Sequence, residues 1–256
     1  MDMRNTNRQD HIFALLEQRE KMSVSELAEI FQVTETTIRR DLISMESNQQ
    51  IIRKRGYAIL PGRGYSIETH RRNTFREEKQ RIARKAAEFI SPNSTLALDS
   101  GTTVEMLVNI LTEDYQNWRN LFIVTSSLSV ATQSCRFFHT SIPGGLILSD
   151  EMSVSGVYTT NFFKNITTDI AFLGSTGIMN THGLTVSYPP MLDIKRAIMA
   201  CASKRIALLD SSKFVTRGIF NFCSFDELDV LITVETDQNA PALEEIASHG
   251  VEVILV

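Results

Sequence analysis

No stretch of this 256-residue chain approaches the roughly 20 consecutive apolar residues that cross a bilayer, and Met1-Asp2-Met3-Arg4-Asn5 opens it without a secretory apolar run. The expected location is therefore the cytoplasm. Cysteine is scarce: Cys135, Cys201 and Cys223 are far apart and form no paired ligand motif, which argues against a disulfide framework or a zinc site and leaves three buried packing residues. His139 and His182 stand without a partner at metal spacing, so no metal or cofactor is expected. A basic excess is also missing. The formal charge of −4 counts at first against a nucleic-acid binder, but the distribution of Lys and Arg matters more than their total. There is no fixed-period repeat and no low-complexity tract. What remains is an ordinary globular balance, 43% hydrophobic and 22% charged, in a length that suits a small domain plus a medium one.

The segment from Arg8 to Leu60 reads as three short helices and a hairpin. Ile12, Leu15 and Leu16 recur at helical spacing, and Ser23-Val24-Ser25-Glu26 has the form of a capping box ahead of Leu27, Ala28 and Phe31. Thr34 is a natural N-cap for a third helix that carries Ile38, Leu42 and Met45 inward. Ile51 to Ile59 forms two strands around a turn. Pro61-Gly62-Arg63-Gly64 breaks regular structure, so the expected division is a domain over 1–60, a linker over 61–75 and a second domain over 76–256. Across Arg63–Lys85 the chain is basic, either as a solvated helix face or as a DNA-contacting arm.

Beyond the linker, short apolar runs at Thr95–Leu98, Leu121–Thr125, Asp169–Leu173, Arg205–Leu209, Asp229–Thr233 and Val251–Leu255 alternate with helical segments such as Met191–Ser203 and Ala240–Ser248. This predicts an α/β domain with a mostly parallel sheet and helices on both faces.

Two short helices joined by the tight turn Phe31-Gln32-Val33-Thr34 allow the second to enter a DNA major groove. Its polar side presents Glu35, Thr36, Thr37, Arg39 and Arg40. Arginine matches guanine O6 and N7 or phosphate, and threonine bonds a base or packs on a thymine methyl. Arg53, Lys54 and Arg55 on the hairpin would lie over the DNA backbone as a wing.

In the second domain, Asp99-Ser100-Gly101-Thr102-Thr103 ends a strand and opens a helix, which suits a phosphate cradle of backbone N–H groups and hydroxyls. A strand-to-helix turn needs glycine and hydroxyl caps in any case, so both readings stand. Ser126-Ser127, Gly144-Gly145 and Gly174 follow other strands, and ligands in open α/β sheets gather at such ends. Lys213 could supply a point charge for the phosphate. Lys195 either joins that site or, with Arg196, forms an exposed helix face. Asp99 and Asp210 either touch the ligand or cap their loops through Asx turns.

Val24-Ser25-Glu26-Leu27-Ala28 followed by Val33-Thr34-Glu35-Thr36-Thr37-Ile38-Arg39-Arg40-Asp41-Leu42 closely resembles the DNA-binding signature of the DeoR family of bacterial regulators of sugar metabolism. The resemblance continues through Asp99–Thr103, Gly144-Gly145, Phe172-Leu173-Gly174 and Leu209-Asp210-Ser211-Ser212-Lys213-Phe214. It implies a winged helix-turn-helix joined to a sensor domain similar to ribose-5-phosphate isomerase and CoA transferases. It also implies a repressor of a carbohydrate-utilisation operon, a homo-oligomer that a phosphorylated sugar releases from double-stranded DNA. Two departures stand out. Lys54-Arg55-Gly56-Tyr57-Ala58 replaces a family segment that often reads His-Gly-Gly-Ala, and Met191 stands where many relatives carry Glu. The alternative is a sugar-phosphate isomerase or transferase with the same loops; it would need a base among Asp99, Glu105, Asp150 and Glu151, and the attached DNA-binding domain argues against it. A third reading, a thiol switch, is disfavoured by the apolar surroundings of Cys201 and Cys223, which raise a thiol pKa.

Overall fold

The structure, a computed structural model, describes residues 3–19, 21–48, 50–60 and 71–256. Residues 61–70, which make up most of the expected linker, lie outside the described residues. The chain divides into two compact units, Met1–Asn73 and Thr74–Val256.

In the first unit, α1 (Met3–Arg19), β1 (Lys21–Ser23), α2 (Val24–Phe31) and α3 (Glu35–Ser47) precede the hairpin of β2 (Ile52–Lys54) and β3 (Tyr57–Ile59). Ser23 caps α2 in a full capping box, accepting from the Glu26 backbone N–H while the Glu26 carboxylate reaches back. The Ser23 hydroxyl and then its backbone N–H, both donating to the Glu26 carboxylate, hold that carboxyl below its ordinary pKa. Gln32 then turns the chain in the left-handed region, φ 51°, and Thr34 caps α3. Ile12, Leu16, Leu27, Ile38, Leu42 and Met45 are buried together in one small core. Asp41, fully buried, accepts from Arg8 Nε at 2.6 Å and Nη2 at 3.1 Å, tying α1 to α3. β1, three residues long and without a readable period, pairs antiparallel with β3 and completes a winged helix-turn-helix.

The second unit runs α4 (Arg76–Ala87), β4 (Thr95–Leu98), α5 (Thr102–Glu113), β5 (Phe122–Thr125), α6 (Leu128–Ser134), β6 (His139–Ser141), β7 (Leu146–Leu148), β8 (Ser153–Ser155), α7 (Val157–Lys164) and β9 (Thr168–Leu173). It continues with β10 (Gly183–Val186), α8 (Pro189–Ala200), β11 (Ala202–Leu209), β12 (Phe220–Ser224), β13 (Val230–Thr233), α9 (Ala240–Ser248) and β14 (Glu252–Leu255). Seven strands form one parallel sheet in the order β14-β13-β11-β9-β4-β5-β6. Both faces are buried. Leu96, Leu98 and Phe172 pack with Ile82 of α4 and Leu107 of α5, while the alternate residues Ala97, Ala171 and Leu173 pack with Phe163 of α7 and Ile194 of α8. The α/β architecture read from the alternation of strands and helices is therefore present.

The expected helix Met191–Ser203 is displaced. Pro189 and Pro190 sit in its first turn, where a missing N–H costs nothing, and Ala202-Ser203 already belongs to β11. The small antiparallel pairs β7-β8 and β10-β12 had no sequence signal, because strands of three to five residues carry too little alternation. The basic run does not simply form a solvated face, since Lys79 is buried. Among the described residues no helix is long and apolar enough to cross a membrane.

Candidate functional site

On α3, Glu35, Thr36, Arg39 and Arg40 face solvent and Thr37 is half-buried, its hydroxyl 3.0 Å from that of Thr34. The buried stripe of Ile38, Leu42 and Met45 holds this polar side outward. Arg39 Nη2 meets Glu35 Oε2 at 2.6 Å, a pair exposed at both ends and therefore cheap to exchange for another anion. Lys54 and Arg55 are exposed at the hairpin turn, where Gly56 has φ +86°. Arg53 is held differently: its Nε lies 3.1 Å from Glu46 Oε2 and its backbone N–H donates to Glu46 Oε1. Glu46 thus fixes the wing to the end of α3, a role with no sequence signal. The ammonium of Lys21, also missed, lies 4.0 Å from the centre of the Tyr57 ring on β3.

The sheet of the second unit grows from β4 to β5 and β6 on one side, then returns to β9, β11, β13 and β14 on the other. Between β4 and β9 the two following loops diverge, which is where open α/β sheets leave a crevice at their carboxyl ends. Asp99 and Gly174 lie there. The Gly174 N–H donates to Asp99 Oδ2 at 3.0 Å, Lys195 from α8 ion-pairs with the same oxygen, and Lys195 Nζ also donates to the Gly174 carbonyl at 3.3 Å. Lys195 and Asp99 are buried, and the Phe222 ring backs the ammonium at 5.2 Å. The reading of Lys195 as an exposed helix face is thereby corrected: a carboxylate 96 positions away in sequence draws it inward. Asp99 Oδ1 is buried with no hydrogen-bond partner among the described residues. Gly101 has φ +149°, and a Cβ there would stand 4.0 Å from Gly174 Cα, so the two loops touch. As N-cap of α5, Gly101 offers no side chain to the first turn, which Thr102 and Thr103 begin. Ser100 is half-buried beside it, and its carbonyl lies 3.2 Å from where a Cβ on Gly174 would be. Met191, one turn ahead of Lys195, is fully buried.

The remaining loop residues gather in two flanking groups. Ser126 and Ser127 are buried at the end of β5: the Ser126 hydroxyl lies 3.1 Å from that of Ser153 on β8, and the Ser127 hydroxyl accepts from the Val130 N–H to cap α6. Gly144-Gly145 packs on the other side of β8. A Cβ on Gly145 would lie 2.4 Å from the Ser155 carbonyl, and Thr159 Oγ1 donates to the Gly144 carbonyl at 3.0 Å. Lys213, half-buried, sits in a short turn whose carbonyl accepts from Ile178 N–H at 2.7 Å, joining that turn to the loop after β9. Asp210 accepts from the Ser212 N–H at 3.1 Å, an Asx turn.

Sequence reasoning missed the contacts of α4. Glu78 accepts from both the N–H and the hydroxyl of Ser211, at 2.8 and 2.9 Å. Lys79 Nζ lies 3.9 Å from Asp210 Oδ2 and donates to the Thr74 carbonyl at 2.8 Å. A cleft of about 410 Å³ opens beside this turn, between Phe75, Phe214, Val215 and Thr236–Asn239. Its lining contains no lysine or arginine and none of the candidate effector-binding residues, although Ser211, Ser212 and Phe214 of the Leu209–Phe214 landmark border it.

Of the cysteines, Cys135 is exposed, which corrects its expected burial. Burial pushes the Cys201 thiol up, and burial with the Glu227 charge pushes Cys223 up to about 12. Among the described residues no group of three or more His, Cys, Asp or Glu is placed to hold a metal ion.

Residues 8–63 match the DeoR-like helix-turn-helix domain and residues 74–235 the DeoR C terminal sensor domain. The glycerol-3-phosphate regulon repressor of Escherichia coli K12 is 32% identical over 99% of this chain and 100% of its own length. The HTH-type transcriptional repressor GlcR of Bacillus subtilis is 28% identical over 95% and 93%. Among solved structures, a D-ribose-5-phosphate isomerase in complex with phospho-erythronic acid superposes with a TM-score of 0.42 at 17% identity, covering 54% of each chain. A transcriptional regulator from Streptococcus pneumoniae TIGR4 gives 0.35 at 10% identity, covering 69% of this chain and 80% of that one. With both halves of the chain matched in order and a relative of the same length above 30% identity, this protein belongs to the DeoR family of helix-turn-helix transcriptional regulators.

Proposed function

We propose that this chain is a cytoplasmic repressor of genes for using a carbohydrate or polyol, and that a phosphorylated metabolite of that compound releases it from its operator. Residues 1–60 hold DNA, 61–75 link, and 76–256 sense. The exposed polar side of α3 reads bases, while Lys54 and Arg55 hold phosphates. The observation that carries the sensing half is the meeting of Asp99, Gly101, Gly174 and Lys195 at the divergence of β4 and β9. There the N-terminus of α5, capped by a glycine without a side chain, favours an anion. Lys213, on a turn joined to the same loop, supplies charge from the flank, and Ser126-Ser127 with Gly144-Gly145 shape the far wall. The name of one curated relative, a glycerol-3-phosphate regulon repressor, supports the same class of effector.

A regulatory site fits these residues better than a catalytic one, because the Asp99 carboxylate is already bonded to Gly174 and Lys195 rather than poised to take a proton. The test is operator affinity by fluorescence anisotropy against glycerol 3-phosphate and a panel of pentose and hexose phosphates, for wild type and Gly101→Val. A branched side chain at φ +149° is strained and occupies the approach to the backbone. The variant is expected to bind operator within about threefold of wild type while losing at least tenfold in response to the active compound. A folded variant that responds at the wild-type concentration moves the site elsewhere, and turnover of any panel member by the intact chain would replace the regulatory reading with an enzymatic one.

A further inference from the structure

We propose that the β7–β8 hairpin and the first turn of α7 form the surface through which two copies of this chain associate, with β7 pairing antiparallel with β7 of the second copy about a twofold axis. Successive residues of a strand point to opposite faces. In β7, however, Leu146 is 69% exposed and Ile147 60%, so apolar side chains stand in solvent on both sides of the strand. Val157 and Tyr158, at the start of α7, are 71% and 80% exposed. Along one edge β7 pairs with β8, and among the described residues its other edge pairs with nothing. Edge strands that remain single are usually guarded by charge, bulges or a covering loop. From Gly144 to Leu148 there is no charged residue, and the acidic pair Asp150-Glu151 sits at the hairpin turn.

The strand is also held firmly in place. Ser153, Val154 and Ser155 of β8 are buried, β8 is bridged to Ser127, and Gly145 is wedged against Ser155 and Thr159. A preformed edge loses little entropy on pairing. The exposed parts of Ile142, Leu146, Ile147, Val157 and Tyr158 add up to about three large side chains, roughly 600 Å². Covering that area on two molecules buries about 1,200 Å², enough to clear the ~1,000 Å² expected of a specific interface. The favoured occupant is a second copy, because an uncharged strand laid antiparallel on itself is self-complementary and satisfies its own free N–H and C=O groups. The proposal assigns a surface rather than an activity, so it stands or falls separately from the effector site.

The full chain is expected to be at least dimeric by light scattering. Ile147→Lys, which places a charge at the centre of the pairing edge, is expected to reduce the mass at least twofold with unchanged circular dichroism. Because a failure to fold would mimic that loss, a second variant reads the geometry directly. In antiparallel pairing across a twofold, Ile147 faces its own copy at a Cα separation of about 4.5–5.5 Å, within disulfide reach. Ile147→Cys in a Cys135→Ser background is therefore expected to form a disulfide-linked dimer with a copper–phenanthroline oxidant, whereas Glu244→Cys, on exposed α9, is not. A monomeric wild type overturns the proposal, as does wild-type mass for Ile147→Lys or the absence of a disulfide-linked dimer for Ile147→Cys.

Discussion

Arg39 spends the free state beside Glu35, whereas Arg40, Lys54 and Arg55 are exposed around it. On the proposed function, DNA binding would exchange the Glu35 carboxylate for a base edge or phosphate at Arg39. Each of Arg39→Ala and Arg40→Ala should weaken operator binding by roughly 1–3 kcal/mol and relax selectivity at one position, as measured against single-base operator variants. Lys54→Ala and Arg55→Ala should instead weaken all sequences alike and each lower the salt slope by about one. Arg53→Ala should do less to the slope, since its guanidinium is committed to Glu46. Cys223 makes a different prediction. With its folded pKa near 12 and an ordinary unfolded value near 9, the unfolded chain loses the thiol proton first as pH rises. The stability linked to this thiol is fully present below pH 9 and declines through pH 12, by about 1.4 kcal/mol per unit at most. Urea midpoints of wild type and Cys223→Ala should therefore converge across that window.

The elements show which parts of the molecule sequence could reveal. Ser23-Val24-Ser25-Glu26 and Thr34 announced α2 and α3 because caps act within four residues, and the apolar runs announced six strands of the main sheet because both faces are buried. The edge strand β6 and the pairs β7-β8 and β10-β12 were silent, being too short for a period. Charge placement was read least well. Lys79 falls in a run that reads as a solvated face or a DNA-contacting arm, and the sequence leaves Lys195 between the effector site and an exposed face; distant partners, Asp210 and Asp99, accompany their burial. α4 gains its meaning in the same way. Glu78 grips Ser211, and Lys79 binds the Thr74 carbonyl beside Asp210, so the turn that carries Lys213 is fastened to the segment leading back toward residue 73. Glu78→Ala should leave effector-free operator affinity within about threefold but reduce the effector-induced change at least fivefold, a loss on the scale of a typical coupling free energy. Glu88→Ala, which removes only the exposed pair with Lys85, serves as the control. Equal behaviour of the two variants in an operator titration would exclude a part for the Glu78–Ser211 contact in the effector response.

At the scale of the whole molecule, the two units carry separate cores, a small one around Leu16, Leu27 and Ile38 and a large double one on either side of the sheet. Calorimetry should resolve two transitions, with the smaller unit melting first because less of its surface is buried, and operator DNA should raise the first transition selectively. The strand order carries a further consequence, one that belongs to the moment of synthesis. The first unit closes on contacts within residues 1–73, whereas β4 is an interior strand of a sheet in which its partner β9 begins only at Thr168 and the outer strand β14 ends at Leu255. At translation rates of about 5–20 residues per second, the interval between the two is on the order of tens of seconds. On the proposed function, a nascent chain in that interval carries the DNA-contacting unit without a completed sensing one, so a newly made molecule would find DNA before an effector could release it.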